Sequence, residues 1–100
     1  MIDQSFESGS LPPETVTSLL ESALRVRKKG NIPAARALLR ALAAQQPDAP
    51  KVWLALAAVA ETRVEQRRAL ERALALDPAN PLARRGIARI GAAARVTQPL

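Results

Sequence analysis

Apolar residues recur at intervals of three and four along most of the chain, the spacing of helices that bury one face. Gly30 is placed to end a first helix and Asn31 to cap a second. The pattern predicts helices over Pro13 to Lys29 and Ile32 to Gln46. The residues expected to face inward are Val16, Leu19, Leu20, Ala23, Leu24, Val26, Ala35, Leu38, Leu39 and Leu42.

Capping signals divide the second half of the chain into three further helices. Asp48 is a candidate N-cap for a helix from about Ala49 to Glu61. Thr62 and Glu65 fit a capping box, which predicts a fourth helix from about Arg63 that stops at Asp77-Pro78. Asn80-Pro81 combines an N-cap residue with a first-turn proline and predicts a fifth helix to about Ala94. The chain is therefore predicted to be all-α, with about five helices.

The 100 residues are enough for one domain. Residues 13–95 carry the helical pattern. Residues 1–12 mix Ser, Gly and acids, so we expect a flexible N-terminal arm with Phe6 as its one large anchor, and residues 96–100 are expected to be a tail. Apolar residues make up 48% of the chain but aromatic residues only 2%, which favours helices built from Ala and Leu.

The chain contains no cysteine and no histidine. These absences remove thiol nucleophiles, the usual general base near neutral pH and the commonest ligands of transition metals. No Gly-rich phosphate loop is present either. We therefore expect no enzyme activity, no metal and no cofactor.

The formal net charge is +6, which favours an acidic partner. The chain begins without a basic segment followed by an apolar one, so a secretory signal is not expected. No apolar run approaches the ~18 residues of a membrane helix. The prediction is a cytoplasmic protein with no membrane span.

An internal repeat is the strongest pattern. The segments Pro47-Asp48-Ala49-Pro50 and Pro78-Ala79-Asn80-Pro81 are near copies, and we call the shift from position 47 to position 78 the repeat offset. A fixed period of this size is typical of stacked supersecondary units. The repeat offset also pairs Arg36 with Arg67, Leu39 with Leu70, Leu56 with Ile87 and Ala57 with Ala88.

The repeated residues resemble the tetratricopeptide repeat (TPR), whose pattern runs W-x2-L-G-x2-Y, then A-x3-F, then P. Its first block is matched by Trp53, Leu56, Ala57 and Ala60, with Ala at the Gly and Tyr positions. Its later part is matched by Ala35, Leu39 and Pro47. The resemblance implies a right-handed stack of antiparallel helix hairpins, an α-solenoid, with repeats over about 16–49 and 50–80 and a capping helix over 81–95. The second repeat is about three residues shorter than the ~34-residue family period.

The resemblance also implies a protein-interaction module, an adapter, scaffold or complex subunit, whose first helices line a concave groove for a partner segment. By alignment the groove residues are Leu20, Leu24, Arg27, Lys28, Lys51, Leu54, Ala58, Leu82, Arg85 and Arg89. This mixture of basic and apolar residues suits an acidic protein or peptide. The family's clamp for a terminal carboxylate is not expected, because its positions hold Leu20, Leu24, Ala55, Leu82 and Gly86. Trp53 falls at a large packing position of the family and is expected in the core.

Four alternatives remain open from the sequence. A generic α-helical bundle of similar hairpins can take the place of the stack that the resemblance implies. The groove cations can be a solvated face while the leucines pack between helices. Arginines of the last two helices can instead bind nucleic acid, although no stacking aromatics or reading motif accompany them. Residues 81–95, on the uncovered last helix, can form a homodimer contact, and Gly86 and Gly91 there either permit close helix approach or weaken the helix. The arginines concerned are Arg63, Arg67, Arg68, Arg72, Arg84, Arg85, Arg89 and Arg95.

Overall fold

The computed structural model describes residues 12–97, with side chains described for residues 12–91. Within that range the chain forms five helices and no strand, so the all-α prediction is confirmed. The helices are α1 (Pro13–Lys28), α2 (Ile32–Gln45), α3 (Pro50–Ala58), α4 (Arg63–Leu76) and α5 (Pro81–Thr97). Phe6 and most of the predicted arm lie outside the described residues. Helix α5 continues to Thr97, three residues beyond its predicted end at about Ala94.

The turn between α1 and α2 forms as its residues predict. Gly30 has a φ of +96°, a conformation that favours glycine. The backbone N–H of Gly30 donates to the Arg27 carbonyl at 2.9 Å, and that of Asn31 donates to the Val26 carbonyl at 3.2 Å. These two bonds are the Schellman arrangement, which satisfies carbonyls at a helix end. Asn31 Oδ1 then accepts from the Ala34 N–H at 3.2 Å and caps α2.

The predicted capping box at the start of α4 is present, with a shift of one residue. Thr62 Oγ1 accepts from the Glu65 N–H at 3.1 Å. The Glu65 carboxylate accepts from the N–H of Glu61 at 2.9 Å, rather than from that of Thr62. The N-caps Asn31 and Thr62 are themselves related by the repeat offset, so both second helices of the predicted hairpins begin in the same way.

Helix α3 differs from its prediction at both ends. Its N-cap is Ala49, with no capping side chain, so the assignment of Asp48 as the cap is wrong. The helix ends at Ala58, three residues before the predicted Glu61. Two side chains from other helices explain the early end: Arg36 Nε donates to the Val59 carbonyl at 2.6 Å, and Gln66 Nε2 to the Ala57 carbonyl at 3.4 Å. Carbonyls that would otherwise need another helical turn are thereby satisfied.

Each helix packs against the next one along the chain. The buried core runs through all five helices and is made largely of Ala and Leu. Its residues include Ala23, Ala35, Leu39, Leu42, Ala43, Val52, Leu56, Ala57, Val59, Ala69, Leu70, Ala73, Ala83 and Ile90.

The last two helices approach closely at Gly86. A Cβ atom at Gly86 would lie 2.8 Å from Leu70 Cδ1, whereas one at Gly91 would meet no atom within 4 Å. The two glycines are therefore not equivalent: Gly86 permits close packing of α5 on α4, and Gly91 does not serve that contact.

Three residues expected to face inward are exposed, and one of them, Leu24, also belongs to the predicted groove. Leu19 is 43% exposed and Leu38 is 44% exposed, and together with Leu42 they line an open apolar groove between α1 and α2. The repeat offset pairs Leu38 with Ala69, which is buried. Helix α2 packs against α3 and so covers one side of the α3–α4 pair. No described helix covers the same side of the α1–α2 pair. Periodicity alone therefore misassigned these residues.

Among residues 12–97 no helix combines the length and the apolar composition that crossing a membrane requires.

Candidate functional site

The predicted groove residues divide into half-buried and exposed sets. Leu20 and Leu54 are half-buried and pack against the core, which matches the alternative that leucines pack between helices. Leu24 is 38% exposed and Leu82 is 60% exposed. The remaining members are also exposed: Arg27, Lys28, Lys51, Ala58, Arg85 and Arg89.

Three of the predicted groove residues surround one cavity at the end of α1. Leu24, Arg27 and Lys28 line an open space of about 530 Å³ together with Ile32 at the start of α2. The Schellman turn at Gly30 brings Ile32 back toward α1 and so creates this space. We call these four residues the hairpin patch. It joins two exposed cations to two apolar side chains, a combination that suits a carboxylate beside an apolar group.

The other exposed groove residues lie on α3 and α5. Lys51 and Ala58 are on α3, and Leu82, Arg85 and Arg89 are on α5; none of them lines the cavity of the hairpin patch. The structure therefore brings together only part of the aligned set. Arg84 is also exposed on α5, and Arg63, Arg67, Arg68 and Arg72 are exposed on α4.

Trp53 packs against the core as predicted, but it is only half-buried. Its indole Nε1 donates to the Pro47 carbonyl at 2.9 Å, which fixes the orientation of the ring. The exposed part of the ring lines an open cavity of about 400 Å³ between α3 and α4. The cavity is also lined by Arg40, Leu56, Thr62, Val64, Glu65, Arg68 and Ala69.

An ion-pair cluster joins α2 to the start of α4 and was missed from the sequence. Arg40 Nε and Nη2 donate to the two carboxylate oxygens of Glu65 at 2.7 and 2.9 Å, in the two-pronged geometry that guanidinium and carboxylate groups favour. Arg40 Nη2 also lies 3.3 Å from Glu61 Oε1. The partners are 25 and 21 residues apart, so no local spacing rule predicts their contact.

Glu65 therefore belongs to both the capping box and the ion-pair cluster. The hydrogen bond from Arg40, helped by the Glu61 N–H, lowers the pKa of Glu65 to about 2 from the usual 4.5. The same contact raises the pKa of Arg40 above its usual value. Both groups are charged at neutral pH, and the cluster links α2 to α4.

Within residues 12–97 no three carboxylates come together in a way that could hold a metal ion. Comparisons of the chain with protein-family models, with curated proteins and with solved structures found no match.

Proposed function

We propose that this chain is a protein-interaction module resembling the tetratricopeptide repeat, an adapter or complex subunit that binds an acidic segment of a cytoplasmic partner protein rather than catalysing a reaction. The observation that carries the proposal is the hairpin patch, where exposed Leu24 lines an open cavity together with Arg27 and Lys28. Cations beside exposed apolar surface provide both carboxylate pairing and water exclusion.

The proposed architecture is a short solenoid of two hairpins and a capping helix. Three observations support it: the sequential helix contacts, the turns that recur at the repeat offset, and the matching N-caps Asn31 and Thr62. In such a stack the first helices α1, α3 and α5 would line one face. The exposed residues Lys51, Leu82, Arg85 and Arg89 would then extend the hairpin patch along that face.

The proposal is tested by pull-down from the native cell with charge-reversed variants. We expect the partner to be captured by the wild type and lost with the triple variant Arg27→Glu, Lys51→Glu, Arg89→Glu. The matched control is Lys29→Glu, Arg63→Glu, Arg84→Glu, which changes net charge equally at exposed residues outside the aligned groove. Partner capture by both triple variants, with helicity unchanged, would exclude this groove.

A contact between two copies through residues 81–95 is a second part of the proposal. Its support is Leu82 on the first turn of α5, the last helix of the chain that the structure describes, where it is 60% exposed. The side chains of Ala92, Ala93 and Ala94, in the same segment, lie outside the described residues. Sedimentation equilibrium should show a dimer that Leu82→Glu weakens. A strict monomer at high concentration with full helicity would contradict this contact.

A further inference from the structure

A second surface, separate from the predicted groove, is centred on Trp53. This is the only tryptophan of the chain. Its N–H is already bonded to the Pro47 carbonyl at 2.9 Å, and part of the ring rests on the core. The ring is thus held in one orientation before any partner arrives. Rigid, partly exposed tryptophans are typical anchors of binding surfaces, because little side-chain freedom is lost on contact.

Two adjoining cavities share this tryptophan. The first, described above, has a floor formed by buried Leu56 and Ala69. The second also has a volume of about 400 Å³ and is lined by Trp53, Arg68, Glu71, Arg72 and Ala75. Trp53 and Arg68 belong to both, so the two cavities form one continuous surface, which we call the Trp53 surface.

The Trp53 surface includes apolar side-chain area that is exposed to water instead of packed in the core. Val64, on the first turn of α4, is 67% exposed beside the cavity. Together with the indole and the Leu56 floor it surrounds a space at the small end of the range for ligand sites, about 300–1,000 Å³. An apolar side chain placed there would remove Val64 and Trp53 from water, which is favourable.

The charges of the Trp53 surface favour a carboxylate beside that apolar group. Arg40 forms one wall, but its charge is matched by Glu65 and Glu61. Arg68 lines both cavities and forms no ion pair with any carboxylate of residues 12–97. It therefore supplies a guanidinium that can take a carboxylate in two-pronged geometry.

We infer that the Trp53 surface is a second docking site, which binds an acidic peptide segment carrying one large aliphatic side chain. The aliphatic group lies over Trp53 between Val64 and Leu56, and a neighbouring carboxylate pairs with Arg68. Trp53 is two residues from Lys51, about 200° around α3, so this site faces a different direction from the predicted groove. A peptide is favoured over a nucleic acid here, because Val64 and Leu56 present aliphatic surface that an aliphatic side chain can cover and a sugar-phosphate backbone cannot.

The chain provides its own reporter for the test. It contains one tryptophan and no tyrosine, so its intrinsic fluorescence comes from Trp53 alone. The probe is the blocked peptide acetyl-Asp-Glu-Leu-Asp-Glu-amide, titrated into the full chain at low salt. We expect a saturable blue shift of the emission, because an aliphatic group over the indole displaces water. The same peptide with Ala in place of Leu should bind several-fold more weakly.

Two variants and one matched control locate the site. Arg68→Glu should weaken peptide binding by about tenfold or more, because a carboxylate replaces the pairing guanidinium. Val64→Ser should weaken it by a smaller factor while leaving the charge unchanged. The control Arg67→Glu alters the neighbouring exposed residue of α4, which lines neither cavity, and should keep the wild-type affinity within about twofold. Far-ultraviolet circular dichroism checks that all three remain folded.

Four results would overturn the inference. The first is an absence of any saturable shift up to about 1 mM peptide. The second is equal loss of affinity in Arg67→Glu and Arg68→Glu, which would indicate only general charge attraction. The third is stronger quenching by an oligothymidylate than by the peptide, which would favour nucleic acid. The fourth is loss of binding in Arg27→Glu with Lys28→Glu but not in Arg68→Glu; this result would assign the peptide to the hairpin patch and leave the proposed function standing.

Discussion

The turns before α3 and before α5 have the same backbone pattern but lead to different helices. In the first, the N–H of Gln46 donates to the Leu42 carbonyl at 2.8 Å and that of Ala49 to the Gln46 carbonyl at 3.3 Å. In the second turn, at the equivalent positions of the repeat, the backbone N–H of Asp77 donates to the Ala73 carbonyl at 2.8 Å. The backbone N–H of Asn80 donates to the Asp77 carbonyl at 3.0 Å. Yet α3 has 9 residues and α5 has 17.

The two helices differ in the hydrogen bonds that satisfy the backbone groups at their ends. Asn80 caps α5 through its own side chain, which accepts from the N–H groups of Leu82 at 3.0 Å and Ala83 at 3.1 Å. Helix α3 has no side-chain cap, and the side chains that bond to carbonyls at its C-terminal end are Arg36 and Gln66 of neighbouring helices. The N–H groups at the start of α5 are satisfied by a residue of its own turn, whereas the carbonyls at the end of α3 are satisfied by neighbouring helices. Nearly the same tetrapeptide begins both helices.

The largest effect is expected from truncating the buried leucines of α2 and α4 that the repeat makes equivalent. Leu39 and Leu70 are equivalent by the repeat and both are buried, at 0% and 5% exposure. Leu39→Ala should lower the free energy of unfolding by about 2–5 kcal/mol, because a cavity remains at a fully buried site. Leu70→Ala should cost less, because α5 carries Gly86 at the contact and can move inward. Urea denaturation of both variants measures the difference, and a larger loss for Leu70→Ala would contradict it.

A second prediction compares the two glycines of α5. Gly91→Ala should raise the free energy of unfolding by up to about 1 kcal/mol, because alanine is the better helix former and no atom obstructs its Cβ. Gly86→Ala should lose that gain, because the new Cβ would lie 2.8 Å from Leu70 Cδ1 and the side chain of Leu70 must shift. Thermal unfolding of both variants provides the test, and equal stabilisation would show that the helices do not approach closely.

Removing an N-cap side chain is expected to change the stability by a smaller amount. Asn80→Ala should cost about 1 kcal/mol of stability, since two N–H groups at the start of α5 lose their acceptor. Asp48→Ala, at the other turn, should change the stability by less than about 0.5 kcal/mol, because α3 has no side-chain cap. Comparable losses at both positions, measured by urea denaturation, would mean that Asp48 caps α3 in solution after all.

The smallest effect is expected at the ion-pair cluster, because the Arg40 side chain is half exposed to water and salt. Glu65 has a pKa of about 2 in the folded chain, below the usual 4.5. Its lowered pKa therefore stabilises the fold fully above about pH 4.5, and this contribution is lost as the pH falls toward 2.

Glu65→Gln and Arg40→Gln are the matched variants for this pH dependence. Both should flatten the fall in stability between pH 4.5 and 2, and both should lose less stability in high salt than the wild type. Unfolding midpoints across that pH range are the measurement. A wild-type slope retained in both variants would assign the acid sensitivity to other carboxylates.

Much of the helical layout was predictable because its signals are local. Gly30, Asn31, Thr62 and Asn80 act on backbone groups within a few residues of themselves, so their spacing alone predicts where helices end and begin. The candidate site was less predictable. The aligned groove was assigned residue by residue, yet only Leu24, Arg27 and Lys28 of that set share a cavity.

By itself the sequence determined the helical class, the internal repeat and most helix boundaries, because these follow from side-chain periodicity and from hydrogen bonds within one turn. Only the tertiary structure decided the early end of α3, the exposure of Leu19 and Leu38, and the link from Arg40 to Glu65. Each of these depends on which helix lies beside a residue distant in the chain. Packing between helices sets that neighbour, and no local pattern encodes it.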